Sequence, residues 1–176
     1  MSKFITIETK GFKDVENFYR SLNKNSQAAM KIEITDMAQK IKADMQRDAP
    51  VDVARLKNSI SYEQKGLSVE FVAQTDYAAY MEFGTKKKVN VPNWVGGYAS
   101  QFKGRGSGGM NSKKAIEQWA SKKGVNDWKA VWWHIMKNGV KAHPFFFTTK
   151  NGQNRIELIK KGYLEALKQG LKNVQR

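Results

Sequence analysis

The apolar positions of this chain change period several times, and each change marks an element. Phe4-Ile5-Thr6-Ile7-Glu8-Thr9 alternates and is β-branched, which predicts an opening strand ended by Gly11 and followed by a short helix over about 12–22. From Asn25 the residues Met30, Ile34, Met37, Ile41 and Met45 recur at helical spacing with Ala38 beside them, predicting one long amphipathic helix to about Asp48. Pro50 stops it, because the ring disfavours helical geometry at Ala49. Period two then returns. Ile60 and Tyr62 share one face of 58–64, and Leu67, Val69, Phe71 and Ala73 one face of 67–73, joined by the turn Gln64-Lys65-Gly66. This is a β-hairpin with one apolar side, sized to cover the long helix. Asp76 to Phe83 is rich in aromatics and is closed by Gly84-Thr85.

Residues 86–142 read differently. Lys86-Lys87-Lys88, Gly96-Gly97 and the stretch Gly104 to Gly109 form a Gly- and Lys-rich loop. Ala115, Ile116, Trp119 and Ala120 predict a short helix ended by Gly124, and Trp128, Val131, Trp132, Ile135 and Met136 a second ended by Gly139. His143-Pro144-Phe145-Phe146-Phe147 returns to the core as a buried strand, on which at least one of three consecutive Phe faces the other way. A closing helix over 153–174 turns Ile156, Ile159, Tyr163, Ala166 and Leu167 inward. The expected fold is α+β: a small antiparallel sheet packed against the long helix and a C-terminal helix. It forms a single domain, 1–176, with a basic loop and helical-hairpin insertion at about 86–142.

A chain of 176 residues, 40% of them hydrophobic with five Trp and nine Phe, is sized for one globular core. Without cysteine it has no disulfide, zinc–thiolate site or thiol nucleophile. No apolar run approaches the roughly 20 residues of a membrane span, so no membrane partner is expected. The opening MSKFITIETK lacks the apolar middle of a signal peptide, so secretion by that route is not expected either. Charge is the unusual feature. Lys and Arg number 31 against 16 Asp and Glu, for a net +15, and position matters more than the total. Residues 1–85 hold twelve of each sign, whereas 86–176 hold nineteen basic residues against four acidic ones. Such segregation attracts polyanions or an acidic protein surface. On the long helix Asp36 and Lys40 stand at i, i+4 in the favourable order, while Asp44 and Asp48 repel across one turn and want a cation from elsewhere.

Catalytic chemistry finds little support. Gly104-x-Gly106-x-x-Gly109 matches a dinucleotide fingerprint by letter, but Tyr98 to Lys103 is not the apolar strand that must precede it. His134 and His143 have no metal-ligand neighbours, and no Gly-x-Ser-x-Gly elbow occurs. Asp52 with Glu63-Gln64-Lys65 resembles the carboxylate and lysine set of magnesium nucleases, yet Glu63 to Lys65 runs into the turn at Gly66, where that chemistry needs a mid-strand position. No catalytic, cofactor or metal residue is assigned. Lysines mixed with Trp94, Tyr98, Phe102, Trp119, Trp128, Trp132 and Trp133 suit stacking on bases, although the spacing of Trp128 and Trp132 suits a packed seam. A basic nucleic-acid-binding protein is therefore the alternative reading, with the magnesium nuclease behind it.

Three stretches together resemble a known family: Ala49 to Ile60 (Ala-Pro-Val-Asp-Val-Ala-Arg-Leu-Lys-Asn-Ser-Ile), Asp76 to Thr85 (Asp-Tyr-Ala-Ala-Tyr-Met-Glu-Phe-Gly-Thr) and His143 to Phe147. In this order, between a long helix and a closing one, they resemble the gene-product-ten-like minor tail-component family of tailed bacteriophages over about Ala29 to Leu167. Where that family usually has Thr-Gly after Val-Asp, this chain has Val53-Ala54. The resemblance implies a structural virion protein, not an enzyme: a sixfold or twelvefold homo-oligomeric ring at the head-to-tail joint, a neck or tail-completion protein through which DNA passes. It implies assembly in the host bacterial cytoplasm and contact with connector, head-closure and tail-tube proteins. A ring needs a heterologous contact. Asp36, Asp44, Asp48, Tyr77, Tyr80 and Glu82 are expected at the subunit interface. Lys86, Lys87, Lys88, Lys103, Arg105, Lys113 and Lys114 are expected to face a partner or, non-specifically, the DNA. For Tyr77 and Tyr80, filling the core is an equal alternative. Asp52 is expected to cap a turn that aims Leu56 and Ile60 inward.

Overall fold

A computed structural model of the protein describes residues 5–9, 13–50, 54–75, 77–85, 93–95 and 110–174. In chain order these form β1 (Ile5–Thr9), α1 (Lys13–Ser21), α2 (Lys24–Asp48), α3 (Ala54–Asn58), β2 (Ile60–Lys65), β3 (Ser68–Ala73) and α4 (Ala78–Phe83). A 3₁₀ turn at Asn93–Val95 follows, then α5 (Met110–Lys123), α6 (Trp128–Asn138) and α7 (Arg155–Val174). The fold is α+β as expected, with a small antiparallel sheet, a long helix and a C-terminal helix. It divides into two compact units, Met1–Ala78 with Pro144–Arg176, and Ala79–His143.

In the first unit β3 lies between β1 and β2, antiparallel to both. The pairs Ile7↔Phe71 and Tyr62↔Phe71 set one apolar face, on which Ile5, Ile7, Ile60, Val69, Phe71 and Ala73 are buried. The turn is Gly66-Leu67, with Gly66 at φ 64°, so Glu63 to Lys65 belong to β2 and not to the turn. Here the sequence expectation misplaced the turn by about a residue, because either register keeps Leu67, itself buried, in line with Val69.

The long helix follows its pattern closely. The Asn23 side chain accepts from Ser26 N at 2.9 Å to cap its start, and Ala49, extended before Pro50, ends it. Two glutamines pin its register against β2. Gln64 accepts from Thr35 Oγ1 at 2.7 Å and donates to Lys31 O, and Gln46 donates to Ile60 O at 3.4 Å. α7 runs antiparallel along α2: Arg155 meets Asp48 at one end, and Gly170 meets Met30 towards the other. A Cβ on Gly170 would lie 2.8 Å from Met30 Cα, so glycine is what allows this approach. Leu56 and Ile60 are buried, 2% and 1% exposed, as the turn before them was expected to arrange. Asp52 itself lies outside the described residues.

Phe145 to Phe147 depart from expectation. They form no strand, and all three are buried. Just beyond them the loop folds on itself through Thr149 N to Gln153 O and Arg155 N to Phe147 O, both 2.9 Å. Freed from strand alternation, the rings stack edge to face at 6.1 and 5.3 Å.

In the second unit α5 and α6 form the expected helical hairpin. Gly124 at φ 68° makes the bend, Asp127 caps α6 by accepting from Ala130 N at 3.0 Å, and Gly139 ends it. The strands of chain leading in and out are tied together: Thr85 N donates to Val140 O at 3.0 Å, Val140 N to Thr85 Oγ1 at 2.8 Å, and His143 N to Met81 O at 2.7 Å. Gly139, at φ 74°, sits so close to Thr85 that a Cβ would collide with its backbone. The helix α4 was not anticipated from the aromatic stretch at 76–83. No described helix is long and apolar enough to cross a membrane.

Candidate functional site

The expected interface carboxylates separate once placed. Asp36 is exposed on α2. Asp44 is bonded to its helix neighbour Arg47 at 2.7 Å, an exposed pair worth about 0–1 kcal/mol. Asp48 is a correction. Its side chain is only 9% exposed and lies 2.6 Å from Arg155, itself 2% exposed, so the cation it wanted comes from α7 of the same chain. Arg155 also donates to Phe145 O at 3.2 Å. Asp48 stands at the C-terminal end of α2 and Arg155 at the N-terminal end of α7, each at the wrong end of its own helix dipole. The antiparallel pairing neutralises both.

Glu82 is a second correction: it is buried, 2% exposed. Because α4 is helical, Ala78, Ala79, Glu82 and Phe83 fall on one face, and all four are buried. Tyr80 stands on the other side of the helix, partly exposed. Tyr77 is also partly exposed, but its hydroxyl is buried without a hydrogen-bond partner among the described residues. Burial pushes its pKa up, opposed by the nearby Arg55 guanidinium and the Leu56 backbone, neither of which bonds it with normal geometry.

Of the basic set, Lys86, Lys87, Lys88, Lys103 and Arg105 lie outside the described residues, as does the glycine stretch 104–109. Lys113 and Lys114 are exposed on α5, and Lys113 Nζ stands 4.8 Å above the Trp132 ring. Trp128 and Trp132 are partly buried, whereas Trp133 is 65% exposed. His134 and His143 are both exposed.

Two surfaces escaped the sequence reading. Between α2 and α7 runs a groove of 340 Å³ floored by Met37, Ile41, Gly162 and Ala166. Its rim carries Glu33, Asp36 and Glu165 with one cation, Lys40. Glu33 accepts from Asn173 at 3.0 Å, while Asp36 and Glu165 join no ion pair among the described residues. The only hint in the sequence was the spacing of Glu33 and Asp36 beside the apolar stripe. Finding Glu165 next to them required knowing that α7 packs there. The second surface is Lys129, Trp133 and Lys137 on α6, an exposed stripe at i, i+4, i+8.

Of the nuclease set, Asp52 lies outside the described residues, so only Glu63 to Lys65 can be placed. Lys65 Nζ pairs with Glu63 at 3.2 Å, and Gln64 between them points to the opposite face, held by Thr35. Among the described residues no three His, Cys, Asp or Glu are placed to hold a metal ion.

Compared with known proteins, residues 13–84 match the model of the HK97-gp10-like family, a bacteriophage tail-component family. The match agrees with the resemblance read from the residues. It takes in the first motif and the second through Gly84, and it ends before the basic segment and the His143 to Phe147 motif. No curated protein and no solved structure matches the chain.

Proposed function

We propose that the protein is a structural, non-catalytic subunit of a bacteriophage virion that forms a closed ring at the head-to-tail joint, as a neck or tail-completion protein through which the genome passes. The observation that carries this reading is the tail-component match over 13–84. Its partners are further copies of itself and the neighbouring connector, head-closure and tail-tube proteins. Asp36, Asp44, Tyr77 and Tyr80 remain candidates for the subunit contact. Asp48 and Glu82, being buried, instead support the fold behind it.

Most of the charge excess serves protein contacts and only a share faces DNA, because strong lysine contact with passing DNA would slow its transit. Gel-shift titration of duplex DNA at several salt concentrations tests this. Binding in the range of weak non-specific association, about 10⁻⁴–10⁻⁶ M at physiological salt, with a shallow slope, is expected. Tight binding with a steep slope would favour the nucleic-acid-binding reading instead.

A further inference from the structure

We propose that the groove between α2 and α7 receives the Lys129–Trp133–Lys137 stripe of a second copy of this chain. The inference rests on the ring reading above and assigns the two surfaces that make the ring contact.

Trp133 meets Trp132 edge-on at 4.9 Å and Lys129 Nζ stands 5.9 Å from the Trp128 ring, yet all three stripe residues stay exposed. Trp128, Val131, Trp132 and Ile135 occupy the other side of α6 and are partly buried, which leaves Trp133 65% exposed between two lysines. Tryptophan is the residue type most enriched among those that dominate protein–protein contacts. The two lysines lie one turn on either side of it, about 6 Å along the axis. Across the groove the order of chemistry is the same with opposite sign. Met37, Ile41 and Ala166 give an apolar floor, and Glu33, Asp36 and Glu165 ring it with three carboxylates against the single ammonium of Lys40. The groove has room for an indole, and Asp36 and Glu165, which join no ion pair among the described residues, suit the flanking ammonium groups.

Charge favours a copy of the same chain as occupant. The unit that bears the stripe, 79–143, holds twelve Lys and Arg against three Asp and Glu. Its attraction to an acidic groove therefore extends beyond the stripe. The two surfaces differ, so the contact is heterologous: each copy gives its stripe to one neighbour and its groove to the other, which closes a ring when the rotation fits.

Sedimentation of the full chain tests this, with circular dichroism to confirm that each variant folds. Every substitution lies on the exposed surface. The wild type is expected to assemble. Asp36→Lys/Glu165→Lys, which spoils the groove, and Lys129→Ala/Trp133→Ala, which spoils the stripe, are each expected to weaken assembly by at least about 30-fold. Mixed one to one, these two variants retain a single good contact and are expected to form a heterodimer and nothing larger. If both variants assemble as the wild type does, or the mixture stays monomeric, the assigned contact is wrong although the ring reading survives. A wild type that stays monomeric at all concentrations removes both.

Discussion

Single residues carry consequences out of proportion to their number. Arg155 and Asp48 are a desolvated ion pair, and losing one partner strands the other's charge. Arg155→Ala is therefore expected to cost about 3–5 kcal/mol in denaturant unfolding. The double replacement Asp48→Leu/Arg155→Met should recover most of that loss, because an apolar pair carries no desolvation penalty. Recovery would show that the pair is a device of local fit and not a net source of stability. Tyr77 makes the opposite case. Its hydroxyl is buried with no hydrogen-bond partner among the described residues, so Tyr77→Phe is expected to leave stability unchanged or raise it by up to about 1 kcal/mol. With the native pKa raised, the phenol's contribution is fully present below the unfolded value of about 10 and is lost as pH climbs through it towards the folded value. Unfolding midpoints measured on either side of about pH 10 should thus fall more for the wild type than for Tyr77→Phe.

At the scale of elements, the helix pair α2 and α7 sets the geometry of the groove. Gly170→Ala gains about 1 kcal/mol of helix propensity but drives a methyl into Met30 backbone. Overpacking of about 1–3 kcal/mol is expected to win, giving net destabilisation in thermal melts. Gly162→Ala meets only the flexible Met37 side chain and should be neutral or stabilising. The comparison also shows what a sequence can and cannot reveal. α2, the hairpin face of Val69, Phe71 and Ala73, and the bends at Gly124 and Gly139 were legible because period and turn chemistry are local signals. Phe145 to Phe147 were not, since three aromatics in a row carry no period and a loop's self-pairing decides their directions. Glu82 stands beside two tyrosines in the sequence, and only the helical spacing of α4 reveals that it is buried with Phe83. Arg155 gave no signal at all. It reads as one more lysine-like charge until α2 and α7 are laid antiparallel.

For the whole molecule, the tail-component match spans residues 13–84, while the excess positive charge lies beyond it, in 86–176. That division suits a subunit whose acidic and basic surfaces are meant for different neighbours, and it makes self-association the property on which the account turns. The most direct measurement is native mass spectrometry of the purified full-length protein, paired with electron-microscope images of the same sample. A single closed species of about six or twelve copies, ring-shaped in projection, is the expected result. A monomer that persists at concentrations of about 100 μM, with no ring in any image, would contradict it.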